Sequence, residues 1–159
     1  MYVPILDIRF NFSGEIQMSE LIIDHVMQTL DNNCVSASLA MVTGYNIDEV
    51  TEVFHEKYVS QKTNPWDYLD LTGIKYRRCM AAERVLKPNC VYIMVVPSIN
   101  ISRGNHSIVV QMDEAGDNWW VLDPNNGKEG RKVYGVDLEL VGWSLEFEFK
   151  VEDILEFQS

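Results

Sequence analysis

The first half of the chain carries the apolar spacing of helices. Val35, Leu39 and Val42 recur at i, i+4 and i+7, which is the spacing of a buried amphipathic helix. That helix is predicted to begin at Cys34, directly after an Asp-Asn-Asn stretch that offers three natural N-caps. Gly44 stands just past its end, where glycine commonly terminates a helix.

Two more helices are predicted further along this half. Asn46 and Glu49 have the spacing of a capping box, so a second helix should start there and run to about Tyr58. Pro65 is a favourable first helical residue, and Gly73 is a favourable stop. The sequence therefore predicts a short third helix between this proline and this glycine.

Strand patterns dominate the second half. The continuous apolar run from Val91 to Val96 is typical of a fully buried strand, and the turn residues at 114–118 predict a hairpin. Further strands are predicted at 1–12, 74–79, 106–112, 119–123 and 141–149, and residues 19–27 fit either a helix or a strand. Helices followed by antiparallel strands indicate the α+β class.

Length and composition add limits to this picture. The chain has 159 residues, which predicts a single domain over residues 1–159. Its 47% hydrophobic and 23% charged residues are ordinary for a globular protein, and they exclude disordered, collagen-like and disulfide-scaffold classes. A net charge of −11 disfavours contact with a phosphate backbone, so no nucleic-acid partner is expected.

The cysteines and the apolar runs bear on the compartment. The longest uninterrupted apolar stretch, Cys90 to Pro97, is far short of the roughly 18 residues of a membrane span, and the first residues lack the pattern of a secretory signal. Three widely spaced cysteines do not suggest a disulfide framework. They are Cys34, Cys79 and Cys90. We therefore expect free thiols, a cytoplasmic protein and no membrane association.

Cys34 is the first candidate for chemistry. It falls at the predicted N-terminus of a helix, where backbone N–H groups and the helix dipole favour a negative charge. A thiolate held there beside an imidazolium has a lowered pKa and becomes a good nucleophile. A lone free cysteine is more often a small buried hydrophobe, so the assignment depends on the residues around it.

Of the three histidines, His106 has the context of a catalytic base. It follows the polar residues 102–105 and opens a strongly apolar strand, which would hold its ring rigidly at the mouth of a cleft. His55 falls on the polar side of its predicted helix and is expected to be solvated. Nothing in the sequence around His25 suggests a role.

Asp123 and Gln28 complete a possible site. Asp123 comes 17 residues after His106, and a turn centred on residue 115 or 116 would pair His106 with position 124 or 126. The carboxylate can then fix the tautomer of the imidazole, although an Asp before a proline also simply opens turns. Gln28 precedes Cys34 by six residues, so its amide and the Cys34 backbone N–H can form an oxyanion hole.

This order of motifs resembles the papain-like cysteine peptidases over roughly residues 20–127. The branch that it is most similar to is the bacteriocin-processing group, which cleaves double-glycine leader peptides, with its small stand-alone relatives. The resemblance implies a papain-like fold, with N-terminal helices packed on a C-terminal antiparallel sheet, and a peptide or protein substrate. It also implies catalytic roles: Cys34 as nucleophile, His106 as general base and acid, Asp123 as its orienter and Gln28 as oxyanion donor.

The chain departs from that family pattern at two positions. Val35 follows the cysteine where the family usually has Gly or Trp, and Asn105 separates Gly104 from His106. Alternatives therefore stay open: a papain-like binding module without turnover, a deamidase or transglutaminase variant, or a structural protein with a chance motif order. No cofactor is expected, and neither a metal-ligand cluster nor a Gly-rich phosphate loop is present in the sequence.

Overall fold

The computed structural model describes residues 5–10, 16–97, 105–125, 133–134 and 142–159, which adopt an α+β arrangement of helices and antiparallel sheet. The strands are β1 (Ile5–Phe10), β2 (Ile16–Leu21), β3 (Arg77–Arg78), β4 (Cys90–Pro97), β5 (Asn105–Met112), β6 (Trp119–Leu122), β7 (Val133–Tyr134) and β8 (Ser144–Lys150). The helices are α1 (Cys34–Thr43), α2 (Ile47–Val50), α3 (Glu56–Val59), α4 (Pro65–Thr72) and α5 (Val151–Gln158). None of the helices in these ranges is long and apolar enough to cross a membrane.

The strands form two antiparallel sheets. β1 pairs with β2, and the other six strands follow the order β3-β8-β4-β5-β6-β7. The strand predicted at 1–12 is present as β1, and its pairing with β2 places a two-stranded sheet ahead of the helices, so the α+β order of helices first and strands second holds only from α1 onward. The side chain of Gln111 on β5 joins the two regions, because it accepts the backbone N–H of Ile22 at 3.0 Å and donates to the Glu20 carbonyl at 2.7 Å.

Helix α1 is the centre of the helical layer. It packs against β5, α2, α4 and α5. The sequence predicted an amphipathic helix, but every residue from Ser36 to Thr43 is buried, because neighbours cover the helix on all sides. Gly44 ends it in the left-handed conformation, with φ of 77°, and Gln158 of α5 donates to the carbonyls of Met41 and Val42.

The second predicted helix has the expected extent but an irregular middle. A π-helical turn, Thr51–His55, joins α2 to α3. Asn46 caps the start by accepting the backbone N–H of Asp48 at 2.8 Å. His55 is only 6% exposed, so the expectation that it is solvated is wrong. The π turn changes the angular step per residue, so positions after it face other directions than a 3.6-residue period predicts.

The central strand β4 separates two apolar clusters, as its unbroken apolar sequence predicts. Val91 and Ile93 face the helices, whereas Tyr92 and Met94 pack on the other side of the sheet. Beside β4, residues 74–79 contribute only the two-residue strand β3, and the predicted strand 141–149 is realised as β8. Helix α5, which follows β8 directly, was not predicted.

Ile93 gives a direct test of this core. It is 1% exposed at the middle of β4, so Ile93→Ala removes buried methylene groups and leaves a cavity. We expect a loss of about 2–5 kcal/mol in the free energy of unfolding, measured by chemical denaturation. Cys34→Ala, at the partly exposed end of α1, should cost much less. Equal losses in the two variants would instead make Cys34 a core residue.

Candidate active site

Cys34 is the first residue of α1, and its thiol meets His106. The His106 side chain and the backbone N–H groups of Ser107 and Val35 are the neighbours that lower the pKa of this thiol. Burial alone would raise the pKa of this thiol, but these contacts and the positive charge of His106 outweigh burial and hold its pKa below the ordinary value. The site therefore favours a thiolate at Cys34.

His106 links this sulfur to a carboxylate. Its Nε2 lies 2.6 Å from Oδ1 of Asp123, which leaves Nδ1 as the ring nitrogen for the thiol. Burial opposes the charged ring, yet the hydrogen bonds and charges of Asp123 and Cys34 raise the pKa of His106 to about 9. At neutral pH the geometry thus favours a thiolate–imidazolium pair backed by a carboxylate.

The register of β5 and β6 explains how Asp123 reaches the ring. The two strands pair from Met112 with Trp119 to Val109 with Leu122, and this register, continued, would set residue 125 opposite His106. Asp123 lies just beyond the last pair. Its Oδ1 also accepts the backbone N–H of Asn125 at 2.8 Å, so one carboxylate both closes the turn and meets the histidine.

A buried contact fixes the helix and the strand that carry the cysteine and the histidine. Ser38 Oγ lies 2.9 Å from Ser107 Oγ, and both residues are buried. Ser38 is one turn after Cys34 on α1, and Ser107 follows His106 on β5. This hydroxyl pair therefore constrains the relative placement of the two reactive side chains. Nothing in the sequence marked either serine for this contact.

Gln28 is joined to the same region through its main chain. Its backbone N–H donates to the Pro124 carbonyl at 2.8 Å. Its side-chain nitrogen donates to the Leu30 carbonyl at 2.7 Å, and its Oε1 is buried without a partner within the described residues. An amide nitrogen carries two hydrogens, so one remains for a ligand.

Asn33 shapes the loop between Gln28 and Cys34. It sits at the N-cap position of α1, as predicted, but its side chain makes no capping hydrogen bond. Its Oδ1 accepts the Leu30 N–H at 2.9 Å, and its Nδ2 donates to the hydroxyls of Thr29 and Thr51 at 3.0 and 3.2 Å. This fully buried side chain holds the loop against the π turn.

Removing the Asn33 side chain should therefore weaken the fold around the loop. Asn33→Ala leaves the Leu30 N–H without its partner inside the protein, so we expect a loss of about 1–3 kcal/mol in the free energy of unfolding. Chemical denaturation measures it. Asn32→Ala is the matched control, because it removes the same side-chain amide from a neighbouring exposed position. Similar losses in both variants would contradict this account of the loop.

His25 is a residue at this site to which the sequence gave no role. Its Nε2 lies 2.6 Å from the backbone carbonyl oxygen of Asp123, 98 residues away in the chain. Ile22 and Ile23, just before it, are buried and anchor the segment. No local motif marks this contact, since it depends on how two distant segments pack.

The other two cysteines have the opposite environment. Burial, followed by the charge of Glu83, raises the pKa of Cys79 to about 11. Burial and the charge of Glu148 also raise the pKa of Cys90. These thiols are therefore less reactive than Cys34 at neutral pH, and they serve as internal references for it.

Comparisons with known proteins found no relative of this chain. No protein-family model, curated protein or solved structure matches the chain. Within the described ranges, no group of three or more His, Cys, Asp or Glu side chains is arranged to hold a metal ion.

Proposed function

We propose that this protein is a cysteine peptidase with a papain-like fold, acting on a peptide or protein. The observation that carries the proposal is the chain of contacts from the Cys34 thiol at a helix N-terminus to His106 and from His106 Nε2 to Asp123 at 2.6 Å. The helix–sheet layout supports it, because α1 carries the nucleophile and packs on β5, which carries the histidine.

In the first half of the reaction, the Cys34 thiolate attacks the carbonyl carbon of the scissile amide and the oxygen gains the electron pair. The backbone N–H of Cys34 at the start of α1 and the remaining amide hydrogen of Gln28 stabilise this oxyanion. The intermediate then expels the amine as the C–N bond breaks. His106 gives its proton to that amine, and the acyl group stays on sulfur as a thioester.

In the second half, neutral His106 takes a proton from water, and the resulting hydroxide attacks the thioester carbonyl. The C–S bond breaks, the carboxylic acid product leaves, and the thiolate and imidazolium are restored. Asp123 keeps Nε2 of the ring protonated throughout, so that the other nitrogen exchanges the proton at the reacting atoms.

Thiol labelling tests the proposal before any substrate is known. With iodoacetamide at pH 6, Cys34 should react at least about tenfold faster than Cys79 and Cys90, because only its pKa is lowered. Mass spectrometry of the digested protein gives the three rates. His106→Ala should slow Cys34 to the rates of the other two, whereas His55→Ala should leave it fast.

Three other outcomes would change the assigned function. Equal labelling of all three cysteines overturns the proposed nucleophile. Fast labelling of Cys34 without cleavage of any peptide in a broad library would instead favour a binding module or an acyl transferase. Release of ammonia from glutamine peptides, or incorporation of an added amine, would identify the transferase or deamidase variant, since it shares the thioester step.

The pKa directions also predict a bell-shaped profile with iodoacetate, an anionic reagent that the imidazolium attracts. The rate should rise as Cys34 ionises, below the ordinary thiol pKa, and fall as His106 loses its proton near pH 9. Asp123 raises the pKa of His106, so Asp123→Asn should move the alkaline limb to lower pH. An unchanged limb in this variant would remove Asp123 from the role of orienter.

A further inference from the structure

Among the described residues, the hydrogen-bond ladder of the sheet ends before Asp123. Leu122 is the last residue of β6 that pairs, with Val109 on one side and Val133 on the other. The side chain of Asp123 is held by Asn125 and His106, but those contacts do not fix its main chain. Some other part of the chain must orient the strand end that carries this carboxylate.

The segment from His25 to Gln28 supplies that support. His25 Nε2 meets the Asp123 carbonyl at 2.6 Å, and the Gln28 N–H donates to the next carbonyl, that of Pro124, at 2.8 Å. A carbonyl oxygen only accepts, so the hydrogen must be on Nε2 of His25. The segment from His25 to Gln28 thus donates hydrogen bonds to two consecutive carbonyls, those of Asp123 and Pro124. The same segment carries Gln28, the proposed oxyanion donor.

We propose that His25 is a positioning residue that holds Asp123 against His106, an inference that rests on the proposed function. It acts through the Asp123 main chain and not on the reacting atoms. Loss of its hydrogen bond would free the strand end and let the carboxylate move from the imidazole. A short 2.6 Å contact is sensitive to such a shift.

The test compares side chains that keep or lose the donor. In His25→Gln, Nε2 stands the same number of bonds from Cβ and can still donate, whereas His25→Leu fills similar space without a donor. The readout is the alkaline limb of Cys34 labelling by iodoacetate. In His25→Leu we expect this limb to move from about pH 9 to about pH 8, which lowers the rate at pH 8.5 about 3-fold.

Three controls separate positioning from general damage. His55→Leu makes the same substitution at a histidine buried elsewhere and should leave the limb in place. His25→Gln should restore it. On an Asp123→Asn background, His25→Leu should cause no further movement, because its effect passes through the carboxylate. Circular dichroism at each pH checks that the compared variants are folded.

The outcomes are decisive for the role of His25. The positioning role is overturned if the alkaline limb of Cys34 labelling is unchanged in folded His25→Leu. It is also overturned if His25→Gln moves the limb as far as His25→Leu does, or if the effects of His25→Leu and Asp123→Asn add. If His25→Leu does not fold, His25→Asn replaces it as the variant without the hydrogen bond, because its amide nitrogen is one bond closer to Cβ and does not reach the Asp123 carbonyl. His25→Asn should then shift the alkaline limb, whereas His25→Gln should not. A wild-type Cys34 that labels no faster than Cys79 overturns the proposed function itself, whatever His25 does.

Discussion

Replacing His106 with alanine is expected to lower the rate of amide hydrolysis by about 10²- to 10⁴-fold, the usual contribution of a general acid–base group. The loss has two sources in this site. The ring is the proton donor for the leaving amine, and its positive charge lowers the pKa of the Cys34 thiol. Without it, less thiolate is present and the expelled amine leaves as an unstabilised anion.

Steady-state kinetics on a peptide selected from a library with the wild-type protein measures this effect. Cys34→Ala, which lacks the nucleophile, sets the background rate. Small amines of imidazole type should partly restore the His106→Ala enzyme, because the deleted ring leaves room for them. His106→Ala with wild-type kcat/KM would contradict the proposed mechanism, even if Cys34 proved essential.

Local sequence patterns predicted the parts of the fold that local interactions determine. The starts of α1 and α4 were predicted from the Asp-Asn-Asn stretch before Cys34 and from Pro65, and their ends from Gly44 and Gly73, both of which adopt positive φ. The buried strand β4 follows from its apolar run. In each case the deciding interaction lies within a few residues along the chain, where propensity and capping are strong signals.

Elements that depend on distant partners were missed. Helix α5 has only eight residues, a length that is marginal in isolation, and it forms where Val151 and Ile154 are buried against the core. The π turn that buries His55 follows no known sequence rule. The strand predicted at 1–12 is present as β1, but the link between its sheet and the main sheet through Gln111 is a contact that no periodicity marks.

The site likewise contains residues that the sequence predicted and residues that only the packing reveals. Cys34, His106 and Asp123 were placed by their order and by the hairpin register, and the structure brings these three together. Asn33 was assigned as an ordinary N-cap and instead folds the loop before the cysteine. Nothing in the sequence identified His25, because its contact joins two segments that lie 98 residues apart in the chain. Positioning residues of this kind become visible only when the packing is known.

The second large effect is expected at Gln28, whose side-chain amide keeps one hydrogen for a ligand beyond its bond to the Leu30 carbonyl. Gln28→Ala should lower kcat about 10²- to 10³-fold with little change in KM, because the lost donor faces charge that develops only in the transition state. Gln28→Glu should be at least as damaging, since a carboxylate repels both the oxyanion and the Cys34 thiolate. Kinetics on the same selected peptide gives both values.

Two features of the structure make this test strict. The main-chain bond from Gln28 to Pro124 does not involve the side chain, so Gln28→Ala should leave Asp123 in place and the alkaline limb of Cys34 labelling unchanged. Leu30, whose carbonyl accepts the Gln28 amide, is exposed and loses that donor to solvent at small cost. A Gln28→Ala enzyme with normal kcat would therefore remove Gln28 from the mechanism. A changed KM alone would assign it to substrate binding.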